Sequence, residues 1–134
     1  MKYYLGIDIG SVSTNVIAMD NNYNVCFNQY IRANGQPLES VKKGMTKLKE
    51  AIGCQDDDIL GIGTTGSGRE LAGVLVGADV IKNEITAHAT ATLHFHPDAQ
   101  TIFEIGGQDS KIIILQDGMV TDLSLIHISE PTRL

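Results

Sequence analysis

The chain has 134 residues, of which 43% are hydrophobic and 19% are charged, with 10 Lys and Arg against 16 Asp and Glu. This composition excludes a disordered chain, a coiled coil and a collagen-like chain, and it is typical of a globular protein. The formal net charge of −6 disfavours a nucleic-acid surface, because proteins that follow phosphate backbones gain affinity from clustered Lys and Arg. No apolar run approaches the ~20 residues of a membrane span, and no cleavable leader pattern is found, so we expect a cytoplasmic protein without membrane contact.

The first part of the chain predicts three strands and a helix. Residues 3–9 and 16–19 are predicted to form a hairpin around Gly10, and residues 24–32 to form a third strand. Apolar residues then recur at steps of three and four over residues 38–52, which predicts an amphipathic helix that ends at Gly53.

The remainder predicts alternating strands and helices. A strand at 59–63 and a loop at 64–68 precede a helix for which Ser67 and Glu70 form a capping-box pattern. A short strand at 80–81, a helix from Glu84 to about Phe95 and three further strands between 101 and 122 complete the order. This order predicts one three-layer α/β unit followed by the start of a second.

Two segments of the chain align without gaps at a constant offset of 96. Residues 8–11 (Asp-Ile-Gly-Ser) fall on residues 104–107 (Glu-Ile-Gly-Gly), and the apolar run 16–19 falls on 112–115. Each copy consists of a strand, an acidic residue, a glycine, a small polar loop and a second strand. The match predicts an internal duplication, although two unrelated glycine-containing hairpins could also align in this way.

Such hairpins are suited to binding phosphate. A glycine turn exposes successive backbone N–H groups, and an acidic residue at the end of the preceding strand needs a divalent cation between itself and a phosphate. Asp8 and Asp109 are therefore the candidate Mg²⁺ ligands, and Gln108 is a candidate to orient an attacking water. A polar hairpin tip without a ligand remains the alternative for residues 108 and 109. The loop at 66–68 either only caps a helix or also contacts the ligand.

Four ordered segments resemble one known family. Residues 5–14, 65–69, 83–89 and 105–111 are similar to the activator ATPases of 2-hydroxyacyl-CoA dehydratases and benzoyl-CoA reductases, the BadF/BadG/BcrA/BcrD type. The resemblance implies a ribonuclease H-like (actin-like ATPase) fold, shared with Hsp70 and sugar kinases. It implies a first subdomain with a mixed five-stranded sheet at 1–98 and the opening hairpin of a second at 99–122. Residues 123–134 do not continue the family pattern, and we expect them to derive from a sequencing adaptor; a natural divergent C-terminus is the alternative.

The resemblance also implies a function for the full-length parent. Members of this family are homodimers that hold one [4Fe-4S] cluster between their subunits and couple ATP hydrolysis to delivery of a low-potential electron to a dehydratase or reductase. At the positions that match the family motifs, Asp8 and Asp109 would bind Mg²⁺, and Gln108 or Glu84 would position the attacking water. The ATP or ADP phosphates would be bound by Gly10, Ser11, Val12, Ser13, Thr14, Gly106, Gly107 and Gln108.

Two departures from the family pattern limit this expectation. Many members carry Lys at the position of Asn15, so one phosphate-neutralising charge is missing or supplied elsewhere. The cluster ligands of the family follow the second hairpin, in a segment that this chain does not contain, so we expect no iron–sulfur ligand here. Cys26 and Cys54 are expected to be core or surface thiols, and the isolated chain is expected to be catalytically inactive.

Two other classes of function remain open. An actin-fold kinase for a sugar or an acetate-type substrate would use a carboxylate as a base towards the substrate hydroxyl. A non-enzymatic nucleotide-binding module would use the same phosphate loops without turnover.

Overall fold

A computed structural model of the chain describes residues 1–105 and 110–126, which form two units that meet in sequence between Asn83 and Glu84. The boundary between these units differs from the subdomain boundary at residue 98 that the resemblance implies, and that boundary remains a proposal.

The first unit is built on a mixed five-stranded sheet, as the resemblance implies. Its central strand pairs antiparallel with the second strand and parallel with the fourth, and the spatial order is β3-β2-β1-β4-β5. The strands are β1 (Tyr3–Ile9), β2 (Ser13–Asp20), β3 (Val25–Arg32), β4 (Ile59–Thr65) and β5 (Val80–Ile81), and the helices are α1 (Pro37–Ile52) and α2 (Arg69–Val76).

One face of this sheet carries the core. Alternate residues of β1 are buried against side chains from both helices, and Val41 and Leu48 of α1 have no exposed surface. Gly44 lets α1 approach the sheet closely, because a Cβ at this position would lie 2.5 Å from Cγ2 of Val16. The helix ends at Gly53, which has a left-handed backbone with φ of 63°. The predicted apolar stripe and its glycine stop are both confirmed.

The start of α2 differs from the prediction. The helix begins at Arg69 with Gly68 as its N-cap residue, and no side chain caps it, so the predicted capping box of Ser67 and Glu70 is wrong. Instead, the preceding turn is bonded to the end of β1. The N–H of Gly68 donates to the carbonyl of Ile9 at 3.0 Å, and the Ser67 hydroxyl donates to the same oxygen at 3.5 Å. A contact between distant segments thus replaces the local cap.

The second unit contains one helix and a three-stranded antiparallel sheet. These are α3 (Glu84–Phe95), β6 (Thr101–Ile105), β7 (Ser110–Gln116) and β8 (Met119–Ile126), with the strands in the order β6-β7-β8. Ala89 of α3 packs with the buried side chains of Ile113 and Leu115. The last strand extends beyond residue 122, where we predicted its end. No helix in the described residues is both long and apolar enough to span a membrane.

The strand registers reproduce the sequence repeat. Pairs between β1 and β2 correspond, at an offset of 96, to pairs between β6 and β7. The pair Leu5–Ala18 matches Thr101–Ile114. The pair Asp8–Asn15 matches Glu104–Lys111. The irregularity in the next pairing recurs as well, between residues 18 and 19 of β2 and between residues 114 and 115 of β7. Agreement in both pairing and irregularity supports duplication over a chance alignment of two hairpins.

Candidate functional site

The candidate site of the first unit lies where β1 and β4 end. Because these strands are parallel, their carboxyl ends lie side by side, and Asp8 is in register with Thr65. The carboxyl ends of parallel strands are the usual place for ligands in open α/β sheets. The sheet topology therefore brings the predicted carboxylate of Asp8 to the turn that follows β4.

Gly66 makes the close contact between these two strand ends possible. Its φ of +95° is unfavourable for other residues, and a Cβ would lie 2.6 Å from Oδ1 of Asp8 and collide with the carbonyl oxygen of Ile9. The sequence predicts that the turn at residues 66–68 either only caps a helix or also contacts the ligand. Local sequence patterns do not predict that this turn lies against Asp8, because the contact depends on the pairing of β1 with β4.

The hydroxyl of Thr65 is buried beside Asp8 and has no hydrogen-bond partner in the described residues. Buried polar atoms are normally satisfied, so an unpaired one at a strand end suggests a group that this structure does not contain. A carboxylate and a hydroxyl also have the hard oxygen donors that Mg²⁺ prefers. On this observation, the residues at the end of β1 and β4 fit a magnesium-bound phosphate.

Backbone hydrogen bonds hold the first predicted phosphate loop, residues 10–14, in place. The N–H of Gly10 donates to the carbonyl of Ser13 at 2.9 Å, and the carbonyl of Val12 accepts from the N–H of Ala33 at 2.9 Å. The side chain of Ser11 is exposed, and Val12 is 63% exposed. The loop is therefore an ordered turn that faces solvent, as a phosphate-binding nest requires.

The hydroxyl of Thr14 is used inside the fold. The side chain has no exposed surface, and its Oγ1 lies 2.7 Å from Oγ of Ser40, which itself donates to the carbonyl of Pro37 at 2.6 Å. This bond ties β2 to the first turn of α1. Of the predicted hydroxyl donors, Ser11 and Ser13 are thus better placed than Thr14 to reach a ligand.

A charged cluster connects α3 to the sheet of the second unit. Nζ of Lys111 lies 3.9 Å from Oε2 of Glu84 and 3.8 Å from Oε2 of Glu104, and Nε2 of His88 lies 3.2 Å from Oε1 of Glu104. The predicted catalytic candidate Glu84 is therefore part of an ion-pair cluster with a half-exposed side chain. The predicted residues Gly106, Gly107, Gln108 and Asp109 lie outside the described residues.

The two cysteines do not form a metal site. Cys26 is exposed on β3, whereas Cys54 is buried, and burial raises the pKa of its thiol. Within residues 1–105 and 110–126, no three His, Cys, Asp or Glu side chains are grouped so that they could hold a metal ion. The described residues thus do not fit an iron–sulfur cluster.

We expect the two thiols to differ in reactivity. The thiolate is the reactive form, and the exposed Cys26 can reach it more easily than the buried Cys54. In the native chain a disulfide reagent should therefore modify Cys26 rapidly, and a Cys26→Ser variant should show no rapid reaction. Denaturant should expose the second thiol. Rapid modification of both thiols in the folded chain would contradict the burial of Cys54.

A family model and a curated relative match most of the chain. The model of the BadF/BadG/BcrA/BcrD ATPase family matches residues 5–129. The activator of lactoyl-CoA dehydratase from Anaerotignum propionicum is 32% identical over 115 residues, which is 86% of this chain and 43% of that protein. The chain thus spans a little under half the length of this relative.

Two solved structures of dehydratase components share the fold of this chain. The activator of the 2-hydroxyisocaproyl-CoA dehydratase from Clostridium difficile, with bound ADPNP, has a TM-score of 0.81 and 27% identity, and the match covers 93% of this chain and 46% of that one. Component A of the (R)-2-hydroxyglutaryl-CoA dehydratase from Acidaminococcus fermentans has a TM-score of 0.81 and 26% identity. This match covers 95% of the present chain and 48% of component A. With its matching sequence and strand topology, this chain belongs to the BadF/BadG/BcrA/BcrD ATPase family.

Proposed function

We propose that this chain is the amino-terminal part of an ATP-hydrolysing activator, and that the part described here binds the phosphates of ATP or ADP with Mg²⁺. The whole protein would couple ATP hydrolysis to low-potential electron transfer to a 2-hydroxyacyl-CoA dehydratase or an aryl-CoA reductase in the cytoplasm. The relatives named as dehydratase activators, and the bound ADPNP of one of them, support this proposal.

The observation that carries the proposal is the position of Asp8 in register with Thr65, whose buried hydroxyl has no hydrogen-bond partner among the described residues. The chemistry that Mg²⁺ would supply here is neutralisation of phosphate charge. Asp8 would hold the ion, directly or through water, and Thr65 would supply a further oxygen. Because the N–H of Gly10 donates to Ser13, the backbone N–H groups of Ser11 and Val12 would bind phosphate oxygens.

The assignment of the hydrolytic residues rests on the resemblance. Asp109 is proposed as a further Mg²⁺ ligand, and Gln108 or Glu84 as the group that orients the attacking water. Nζ of Lys111 lies 3.9 Å from Oε2 of Glu84, so this carboxylate has a cation beside it.

We assign electron transfer to the full-length parent and not to this chain. Among the described residues, no three His, Cys, Asp or Glu side chains are grouped to hold a metal ion, and the resemblance implies cluster ligands beyond the second hairpin. The homodimer and the contact with the dehydratase or reductase would likewise belong to the parent. The chain itself would bind nucleotide without productive turnover.

Calorimetric titration of the full chain with ATP, with and without Mg²⁺, tests this proposal. We expect binding with a dissociation constant below about 1 mM that depends on Mg²⁺, because Asp8 alone would repel the phosphates. The Asp8→Asn variant should bind Mg²⁺-ATP about tenfold more weakly or worse, since it loses a charged ligand.

Asp20→Asn is the matched control. Asp20 lies on β2, in register with Tyr3 at the start of β1, where it accepts backbone hydrogen bonds from Asn22 and Asn24 that hold the pKa of its carboxyl below the ordinary value. This variant removes the same charge away from the site and should bind like the wild type. Equal binding by the wild type and Asp8→Asn, or no binding by the wild type, would refute the assignment.

A further inference from the structure

None of the side chains assigned to the nucleotide site is basic. Asp8 is an acid, Thr65 supplies a hydroxyl, and the loop at residues 10–14 contains no Lys or Arg. A nucleoside triphosphate keeps a net negative charge after it has bound one Mg²⁺, and proteins usually bind such phosphates with Arg or Lys. A basic side chain that the fold brings to this loop is therefore a candidate phosphate ligand.

The pairing of β2 with β3 brings Arg32 to the loop. Arg32 is in register with Ser13, so the two Cα atoms lie about 5 Å apart. The next residue, Ala33, donates its N–H to the carbonyl of Val12 at 2.9 Å, which holds the end of β3 against the loop. Arg32 is thus a direct neighbour of the predicted phosphate loop, although it lies on a different strand.

Arg32 and Asp8 lie on the same face of the sheet. Ile9, Thr14 and Ile31 are in register across the three strands, and all three are buried on the core face. Side chains alternate between the two faces along a strand, so Asp8 and Arg32 both belong to the opposite face. The acid that is assigned to Mg²⁺ and this arginine therefore flank the loop on one side of the sheet.

The guanidinium of Arg32 is exposed and is not used within the fold. Among residues 1–105 and 110–126, it has no ion pair and no hydrogen bond. Other basic groups of the first unit do have partners: Nζ of Lys42 and Lys49 lie close to carboxylates, and the guanidinium of Arg69 donates to the carbonyl of Gly66 at 3.1 Å. A planar guanidinium whose N–H donors are all available is well suited to phosphate oxygens.

We propose that Arg32 binds the nucleotide phosphates at the loop formed by residues 10–14. This inference rests on the proposed function and adds to it the positive charge of the site. The Arg32 guanidinium donates to phosphate oxygens from β3, while the N–H groups of Ser11 and Val12 donate from the loop. Its charge also offsets the repulsion between the Asp8 carboxylate and the phosphates.

Calorimetric titration of the full chain with Mg²⁺-ATP, in low and in high salt, tests the proposal. Arg32→Gln keeps a polar side chain but removes the charge, so we expect the dissociation constant to rise about tenfold or more in low salt. The difference from the wild type should shrink in high salt, because salt screens the charge of an exposed side chain. Arg32→Lys keeps the charge and should recover part of the loss.

Lys47→Gln is the matched control. Lys47 is exposed on α1, so this variant removes one positive charge from the same unit and leaves the loop and its neighbours unchanged. Both Gln variants make the net charge of −6 more negative by the same amount, so a difference between them reports the position of the charge. Lys47→Gln should bind like the wild type, and urea unfolding should give the same midpoint for both variants, since both substitutions are on the surface.

Equal binding by Arg32→Gln and Lys47→Gln, when Asp8→Asn binds more weakly than the wild type, would overturn the role of Arg32 and leave the proposed function intact. No binding of Mg²⁺-ATP by the wild type, or equal binding by the wild type and Asp8→Asn, would overturn the proposed function and the role of Arg32 with it.

Discussion

The Gly66→Ala variant is expected to be less stable by about 2 to 4 kcal/mol and to lose nucleotide binding. Two costs add up at this position. Alanine is strained at a φ of +95°, and its Cβ would collide with the carbonyl of Ile9 and lie 2.6 Å from Oδ1 of Asp8. Relief of the clash must move either the end of β1 or the Asp8 carboxylate. Urea unfolding and ATP titration of the same preparation measure both effects.

Gly53→Ala separates backbone strain from the collision. Gly53 also has a positive φ, of 63°, but a Cβ there would meet nothing within 4 Å. We expect this variant to lose about 1 kcal/mol and to bind nucleotide normally. Equal losses in the two variants would show that the approach of the turn to Asp8 has no energetic importance.

The Leu48→Ala variant is expected to destabilise the first unit by about 3 kcal/mol, the second large effect. Leu48 has no exposed surface, and its side chain packs from α1 onto the core face of the sheet. Truncation removes apolar burial and leaves a cavity that the strands cannot fill. Denaturant unfolding followed by circular dichroism gives the change in free energy.

Leu38→Ala is a control on the same helix. Leu38 is 37% exposed near the start of α1, so the same change of side chain should cost less than about 1 kcal/mol. Both variants replace leucine by alanine in the same helix, so the difference between their losses in unfolding free energy reports the difference in burial. Similar losses would mean that the face of α1 that packs on the sheet is wrongly assigned.

Local patterns were sufficient to predict most of the first unit. The apolar stripe of α1 and its stop at Gly53 depend only on nearby residues, and both are confirmed. The offset of 96 was visible because duplicated hairpins keep their acidic residue, glycine and apolar strand in one order, and the registers repeat it.

Contacts between distant segments could not be predicted in this way. The turn at Gly66 lies against Asp8 because β4 pairs in parallel with β1, and nothing near residue 66 encodes that pairing. The same pairing explains why Ser67 bonds to Ile9 and does not cap α2. The Thr14 hydroxyl suited a phosphate loop, yet it is bonded to Ser40, since α1 packs on β2.

The central claim is that the ends of β1 and β4 hold a magnesium nucleotide, and an NMR titration with Mg²⁺ and ADPNP tests it most directly. We predict that the amide signals of residues 10–14, 65 and 66 shift together and saturate in the wild type. In Asp8→Asn they should shift only at about tenfold higher ligand concentration or not at all. Absence of shifts at these residues, or saturable shifts confined to other parts of the chain, would contradict the account.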